Sequence, residues 1–437
     1  MSFARLWESL LPIGRNEQTG GYRRFSWTPA DTECRAWFCA AAAERELAVT
    51  PDNNGNLWAW WDPPAMTGAQ QPEVSVQQPA PSGGPPPVAG ASATRLPRSG
   101  AIVTGSHLDS VPNGGAFDGP LGVVSGFAAI DLLRARGCVP VRPIAVAAFC
   151  EEEGARFGVA CLGSRLLTGV VTADAARALR DGDGVTLADA MAAAGRDPAQ
   201  LGPDEDLLAS LGAFVELHIE QGRALAQPLG AAIGIAQGIW PHGRWRFDFA
   251  GHADHAGTAR LSDRRDPMLP FAATVLAARE CADRLGTLAT FGKIAAEPGG
   301  VNAVSSSVRA WLDARAPDQD GLTRTVTQIR SAAREAADAH GVELTVAAES
   351  ASPAVGFDPG LRARVAAVLT AAGIDAPVLP TGAGHDAGVL AARVPTAMLF
   401  VRNPTGISHA PAEHADAADC ELGVIALAAV LEDLACQ

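Results

Sequence analysis

Short uninterrupted apolar runs and longer apolar segments alternate in the first half of the chain. Residues 101–105 and 143–150 form two such runs, and residues 119–137 between them carry an apolar segment long enough for a helix. Strands buried on both faces give uninterrupted apolar runs, and two of them joined by a helix form a parallel βαβ unit. The pattern, which returns after residue 351, predicts an α/β fold with a mainly parallel sheet and loop sites at its carboxyl edge.

From residue 238 onwards the pattern changes to strict alternation of apolar and polar residues. Such alternation is typical of half-buried antiparallel strands, and stretches of helical periodicity lie between these strands. The order strand, helix, strand, strand, helix, strand predicts a smaller, ferredoxin-like α/β sandwich. The predicted elements, in chain order, are 244–249, 266–285, 287–296, 307–315, 319–340 and 342–349.

The length of 437 residues exceeds what one ordinary core organises, so we expect two domains. Residues 1–237 together with 351–437 are predicted to form the first domain, and residues 238–350 an inserted second one. Residues 63–97 are rich in Pro, Gly, Ala, Ser and Gln and nearly free of charge. We interpret them as a flexible insertion, since they cannot bury enough apolar surface to order themselves.

Composition limits the classes of function. A formal net charge of −14 disfavours a nucleic-acid or anionic-membrane partner, because either favours a basic face. No apolar run approaches the roughly 20 residues that span a bilayer, and the first residues lack the pattern of a secretory signal. Eight scattered cysteines without a CxxC pair argue against a disulfide framework or a zinc knuckle. We expect a cytoplasmic protein.

Side chains that bind metals follow the predicted strands. His107 and Asp109 lie where the first strand ends, an arrangement in which a carboxylate can hold one imidazole nitrogen while the other binds a cation. Asp118 follows in a glycine-rich loop, and the acidic turn 151–153 follows the next strand. His218 lies on the polar face of the alternating strand 213–220. Taken singly, the loop residues and the acidic turn are also typical of solvated turns, and a histidine on a strand face is more often a hydrogen-bonded core residue than a ligand.

Together these residues predict one metal site. The ligand candidates are His107, Asp118, Glu153, His218 and His409. Nitrogen and carboxylate ligands without thiolate favour Zn²⁺, Mn²⁺ or a similar ion over a closed structural site. Five such ligands around one bridging carboxylate could hold two divalent ions about 3.5–4 Å apart.

Seven motifs in one order carry a family resemblance. They are GSHLDSVPNGGAFDG, EEEGARF, ELHIEQG, GHADHAG, VNAV followed by LDAR, GAGHDA, and GISHAPAE. In these motifs the chain resembles the zinc-dependent amidohydrolases that cleave N-carbamoyl amino acids, allantoate and related ureido acids, within the aminoacylase/carboxypeptidase superfamily of di-metal hydrolases. The resemblance covers nearly the whole chain apart from 63–97, and it implies that 238–350 is a lid and dimerisation domain.

The resemblance also assigns roles to the ligand candidates. Asp118 would bridge two metal ions, with His107 and His218 completing one site and Glu153 and His409 the other. Glu152 matches the family's general base, which takes a proton from water and passes it to the leaving nitrogen. A histidine at position 218, where the peptidase branches place a carboxylate, is typical of the carbamoylase branch.

Further residues match substrate-binding positions of the family. His255 corresponds to a histidine that stabilises the oxyanion from the neighbouring subunit, which implies a homodimer. Asn302 and Arg315 match substrate-binding positions, and Arg315 could clamp a carboxylate with its guanidinium fork. The weaker candidates for holding the ureido group or the carboxylate are Gln221, Gly384 and His385.

Two substrate-reading loops depart from the family's pattern, at 255–261 and at 298–306. The metal set is intact, so the resemblance implies hydrolysis but leaves the substrate open. We predict an amidohydrolase that removes a carbamoyl group from a small ureido acid as ammonia and carbon dioxide, with allantoate as the first candidate. The alternatives are an N-carbamoyl-L-amino acid hydrolase, a beta-ureidopropionase, an aminoacylase or dipeptidase, and a non-catalytic metal-binding protein.

Overall fold

A computed structural model describes residues 2–64 and 98–436. The insertion expected at 63–97 therefore lies outside the described residues from position 65 onwards. The strands are β1 Ala48–Pro51, β2 Leu57–Trp61, β3 Ala101–His107, β4 Ile144–Phe149, β5 Leu211–Ile219, β6 Ile233–Ile239, β7 His242–Ala250, β8 Asp254–His255, β9 Leu288–Glu297, β10 Ala303–Val304, β11 Ser307–Arg315, β12 Glu343–Ser352, β13 Val355–Gly356, β14 Val378–Thr381 and β15 Thr396–Val401.

The α-helices are α1 Phe3–Leu10, α2 Pro29–Ala43, α3 Pro120–Ala135, α4 Leu162–Leu167, α5 Ala173–Arg177, α6 Leu187–Ala193, α7 Glu205–Ser210, α8 Met268–Leu285, α9 Gln319–Ala339, α10 Pro359–Ala371, α11 Asp386–Leu390 and α12 Ala417–Ala435. None of them, over the described part of the chain, combines the length and the hydropathy that crossing a membrane requires.

The larger sheet has the mainly parallel centre that the apolar runs predict. Its strand order is β1-β2-β4-β3-β5-β15-β6-β13, with β14 pairing to β6. Neighbouring strands are parallel from β4 through β3 and β5 to β15. The outer pairs β1–β2, β2–β4, β15–β6 and β6–β13 are antiparallel. The central strands are buried along almost their whole length, which explains the nearly unbroken hydrophobicity of β4 and β15, whereas β5 carries Glu216 and His218 among its apolar residues.

Helices cover this sheet, and both of its faces are buried. On one face α3 and α12 pack together, with Leu121, Phe127 and Leu427 fully buried against Val215 and Leu217 of β5. The opposite face buries a second cluster that includes aromatic side chains of β2, β4 and β5. With both faces covered, the carboxyl edge of the parallel strands is where polar side chains can gather.

The smaller sheet is antiparallel and has the order β12-β7-β11-β9. Numbered within this unit, the strands lie in the order fourth, first, third, second, as in a ferredoxin-like sandwich. Helices α8 and α9 pack on one face over a core that includes Phe247, Phe249, Leu312 and Ile329. Because residues alternate along β7 and β11, the side chains on one face of these strands pack in this core and those on the other face are more exposed.

The stretch between β4 and β5 is where the sequence interpretation misses most. Residues 162–210 contain four short helices, and β6 and α11 were also not predicted. Helices of five to seven residues are too short to show a 3.6-residue period. The local signals that remain are caps: Thr172, Thr186 and Asp204 each accept a hydrogen bond from a backbone N–H of the first turn.

Gly105 provides a test of how closely β3 and β4 pair. Its φ is +138°, and a Cβ atom there would lie 2.0 Å from the carbonyl oxygen of Ala147 on β4. We expect Gly105→Ala to lower the free energy of unfolding by about 2–5 kcal/mol, because backbone cannot yield as a flexible side chain can. Urea titration followed by circular dichroism measures this.

The matched control is Gly182→Ala, because no atom lies within 4 Å of a Cβ built at that position. Equal stability of the two variants would show that β3 and β4 tolerate a wider separation than the structure gives them.

Candidate metal centre

All five predicted metal ligands come together at the carboxyl edge of the larger sheet. His107 is the last residue of β3, and His218 lies near the end of β5. Glu153 follows β4, Asp118 precedes α3, and His409 lies in the loop between β15 and α12. Four of the five are buried or nearly so, and His409 is half exposed. The parallel strands therefore deliver ligands that are up to 302 positions apart in sequence (409 − 107 = 302).

Asp118 lies between two groups of ligands. Its Oδ1 is 3.5 Å from Nε2 of His107 and 3.2 Å from Nε2 of His218. Its Oδ2 is 3.3 Å from Nε2 of His409, which in turn lies 3.6 Å from Oε2 of Glu153. Each carboxylate oxygen thus faces its own group, as a bridging ligand requires.

The spacing fits bound cations. Ligand atoms about 2.0–2.2 Å from one tetrahedral ion lie about 3.3–3.6 Å from each other. The four contacts given above, at 3.2–3.6 Å, are close to this spacing, and all ligand atoms of each group lie within 4.8 Å of one another. Nε2 of His107 is buried and has no hydrogen-bond partner among residues 2–64 and 98–436, as a nitrogen reserved for an ion would be. The donor set of imidazole nitrogen and carboxylate oxygen suits Zn²⁺ or Mn²⁺.

A third cluster of ligand-type residues is a poorer fit. Glu216, His218 and His385 also lie within reach of one another. Both oxygens of Glu216, however, already accept hydrogen bonds, one from Ser106 at 2.7 Å and one from the backbone N–H of Ala387 at 3.0 Å. These hydrogen bonds tie Glu216 to β3 and α11, which gives it a structural role.

Asp109 does more than the sequence predicts. Its backbone carbonyl oxygen is hydrogen-bonded to Nδ1 of His107 at 3.1 Å, and its Oδ1 lies 3.4 Å from the same nitrogen. Its two carboxylate oxygens accept hydrogen bonds from the backbone N–H groups of Glu152 and Glu153, at 3.2 and 3.1 Å. Asp109 therefore orients both the histidine and the acidic turn opposite it.

Glu152 is held beside the ligand groups without belonging to either. Its Oε2 is 3.6 Å from Nε2 of His107, and its Oε1 accepts a hydrogen bond from the thiol of Cys161 at 3.1 Å. Burial raises the pKa of Glu152 well above its ordinary value, His107 opposes the rise, and Asp386 and Glu153 add to it. A carboxyl group in these surroundings binds a proton more tightly than one in water does.

The other ionisable groups of the centre lie close together and shift one another's pKa values. Burial favours the neutral form of Asp118, yet three imidazoles hold its pKa well below the ordinary value. The contact with Asp118 raises the pKa of His409 to about 9. Burial and the charge of Asp118 raise the pKa of Glu153 to about 7. The centre concentrates negative charge that a divalent cation would compensate better than protons do.

A cavity of about 210 Å³ opens on these groups and is lined from both sheets. The predicted substrate residues Gln221, Gly384, His385 and Arg315 all line it. Nε2 of Gln221 donates to Asp118 at 2.8 Å. Arg315 reaches the cavity from β11, and its guanidinium donates to both oxygens of Asp313 and to the carbonyl oxygen of Gly382.

His255, predicted to stabilise the oxyanion, and Asn302, predicted to bind the substrate, lie outside this cavity in the single chain. His255 belongs to the two-stranded pairing of β8 with β10, next to Asn302, and both side chains are exposed. Neither lines the cavity. The resemblance placed His255 in the neighbouring subunit's site, so its role and that of Asn302 stay predictions.

The sequence interpretation missed several residues around the centre. Oε2 of Glu413 accepts hydrogen bonds from the backbone N–H groups of Phe117 and Asp118, at 2.9 and 3.0 Å. Arg165 and Arg244 line the cavity, and Cys161 contacts Glu152. Glu413 could have been found from the sequence, because it ends the GISHAPAE motif. Nothing in the sequence marks Arg165, Arg244 or Cys161 as residues of the site.

Comparison with known proteins agrees with this geometry. Residues 103–433 match Peptidase family M20/M25/M40, and the chain belongs to that family. It is 34% identical over 425 residues to the N-carbamoyl-L-amino acid amidohydrolase of Geobacillus stearothermophilus, which covers 96% of this chain and 95% of that protein. The allantoate amidohydrolase of Escherichia coli strain K12 is also 34% identical over 425 residues, with 96% and 95% covered.

A solved structure is similar over the whole chain. The hydantoinase/carbamoylase family amidase from Burkholderia ambifaria has a TM-score of 0.77 and 31% identity, covering 100% of this chain and 98% of that one. The family resemblance drawn from the motifs and the α/β fold class are thereby confirmed. The chain is a hydrolase of carbon–nitrogen bonds other than peptide bonds.

Glu413 provides a test of how the bridging carboxylate is positioned. We expect Glu413→Ala to weaken binding of Zn²⁺ about 10- to 100-fold, because two N–H groups at Asp118 lose their acceptor and the loop no longer aims the carboxylate. Competition with a chromophoric chelator measures the affinity. The control is Glu421→Ala, at an exposed position on α12. Equal Zn²⁺ affinities in the two variants would show that Glu413 does not support the site.

Proposed function

We propose that the protein is a di-metal amidohydrolase that cleaves the carbamoyl C–N bond of a small ureido acid and releases ammonia and carbon dioxide. The observation that carries this proposal is the position of Asp118 between two groups of ligands, with Glu152 beside them. A protein that only bound metal would not need a buried carboxyl group that can take up a proton at this place. The names of the relatives support a ureido substrate.

Two divalent ions, Zn²⁺ or Mn²⁺, would be held by His107, Asp118 and His218 on one side and by Asp118, Glu153 and His409 on the other. When bound, such ions supply Lewis acidity towards a carbonyl oxygen and acidify water. Glu152 takes the proton of the attacking water on its carboxylate and passes it to the leaving nitrogen.

The remaining residues bind the substrate in this proposal. Arg315 receives the carboxylate, while Gln221, Gly384 and His385 hold the ureido group from the cavity wall. His255 of a second subunit stabilises the oxyanion, and Asn302 lies beside it for the same substrate. These roles come from the family resemblance, and for the four cavity-lining residues their position in the cavity wall supports them.

We propose allantoate as the first substrate, with N-carbamoyl-L-amino acids and beta-ureidopropionate as alternatives. Each offers a ureido carbonyl and a carboxylate to the same residues, and relatives named for allantoate and for N-carbamoyl amino acids are equally similar to this chain. The loops at 255–261 and 298–306 are where these substrates would be distinguished.

We also propose that residues 238–350 act as a lid and dimerisation domain and that the protein is a cytoplasmic homodimer. Strand β9 is an edge of the smaller sheet and exposes Ile294, and α8 exposes Leu269 and Leu276. Exposed apolar side chains beside an open strand edge are typical of a subunit interface. The eight cysteines are free thiols, which supports a reducing compartment.

An ammonia-release assay tests the proposed function directly. The panel contains allantoate, N-carbamoyl-L-amino acids and beta-ureidopropionate, with N-acetyl amino acids for the aminoacylase alternative and chelator-treated protein as control. We expect metal-dependent ammonia release from at least one ureido acid. Activity on N-acetyl amino acids without ammonia release from any ureido acid would refute the proposal.

Glu152→Gln tests the assigned proton carrier. The variant keeps the shape of the side chain but has no carboxylate to take a proton, so we expect turnover to fall at least about 100-fold. Metal content, measured by plasma mass spectrometry, should stay at the wild-type level because Glu152 belongs to neither ligand group. Wild-type turnover in the variant would assign the proton transfer to another residue.

A further inference from the structure

Arg165 lines the cavity, and among the described residues its side chain has no hydrogen-bond or ion-pair partner. Its side chain is partly buried on α4, and its Nε is fully shielded and makes no hydrogen bond within residues 2–64 and 98–436. No carboxylate of the same described ranges lies within 4.0 Å of its guanidinium. The side chain nevertheless faces the cavity that contains Asp118 and Glu152.

The other two arginines of the cavity wall are different. Arg315 donates to both oxygens of Asp313, and Nε of Arg244 lies 3.6 Å from Oδ2 of the same Asp313. These two guanidinium groups share one carboxylate on the side of the smaller sheet. Arg165, on the side of the larger sheet, is therefore the wall arginine whose charge the described residues leave uncompensated.

The backbone holds Arg165 in a fixed position relative to Glu152. The N–H groups of Cys161, Leu162 and Gly163 donate to the carbonyl oxygens of Glu152, Glu151 and Cys150, at 2.6, 3.0 and 2.9 Å.

Cys161 is the N-cap residue of α4, the backbone N–H of Arg165 donates to its carbonyl oxygen at 2.9 Å, and both side chains line the cavity. The thiol of Cys161 contacts Glu152. The guanidinium and the proposed proton carrier thus line the same side of the cavity.

An unpaired charge that is partly shielded from water is unfavourable unless a ligand compensates it. We propose that Arg165 binds a second oxygen acceptor of the substrate, a carboxylate or carbonyl group other than the reacting ureido carbonyl and the carboxylate assigned to Arg315. This inference rests on the proposed function and narrows its substrate class. The preferred substrates are ureido acids with two acceptor groups, such as a ureido dicarboxylate or a bis-ureido acid, rather than N-carbamoyl amino acids with alkyl side chains.

A matched pair of substrates tests the inference. N-carbamoyl-L-aspartate carries the second acceptor, and N-carbamoyl-L-leucine has an alkyl group of similar length. We expect Arg165→Met to lower the ratio of their kcat/KM values roughly 10- to 100-fold, the range for losing a hydrogen bond to a charged group. Arg165→Lys should restore part of the ratio, since it keeps the charge but not the planar fork.

Binding provides a readout independent of turnover. Calorimetry compares the Zn²⁺-loaded Glu152→Gln protein with the double variant that also carries Arg165→Met. We expect the dissociation constant of N-carbamoyl-L-aspartate to be higher in the double variant by a similar factor. Arg136→Met is the control, because Arg136 is paired with Glu432 and does not line the cavity. Thermal melts of each variant show whether it is folded.

The possible outcomes separate the two proposals. If folded Arg165→Met changes kcat/KM for both substrates by the same factor, or changes neither, the inference about Arg165 is wrong while the proposed function stands. If the wild-type protein releases ammonia from no ureido acid, the proposed function is wrong and the inference falls with it.

Discussion

The electrostatic balance around Asp118 is the constraint on which the rest of this structure depends. One carboxylate faces three imidazoles at 3.2–3.5 Å, two from one oxygen and one from the other. Such a group is costly to bury unless its charges are paired and its orientation is fixed. The surrounding hydrogen bonds supply the orientation: Glu413 holds the backbone at Asp118, and Gln221 donates to its Oδ2.

The parallel centre of the larger sheet makes this arrangement possible. Strands β3, β4 and β5 end at one edge, so the residues that follow them meet without any long connection between them. Asp109 links two of these strand ends by bonding His107 and the acidic turn after β4. The close pairing of β3 with β4 at Gly105 brings the two strand ends together. Fold and site therefore depend on the same few contacts.

Much of this could be predicted from the sequence, for identifiable reasons. Buried parallel strands have no polar face, so 101–105 and 143–150 are recognisable as unbroken apolar runs, and the smaller sheet is recognisable by its alternation. The ligands could be predicted because they lie at or after the ends of strands and within the motifs that carry the family resemblance. Arg165 and Cys161 could not, because they lie on and at the start of a six-residue helix that leaves no periodic pattern. Arg244 looks like any outward-facing charge of an alternating strand, and only the packing of the two sheets brings it to the cavity.

Anomalous diffraction from crystals grown with Zn²⁺ or Mn²⁺ would show whether Asp118 lies between two bound ions. We expect two peaks per chain, one beside each oxygen of Asp118 at about 2.0–2.2 Å, with His107 and His218 around the first and Glu153 and His409 around the second. A single peak that Asp118 does not contact, or full metal occupancy elsewhere with these side chains turned away from one another, would contradict this expectation.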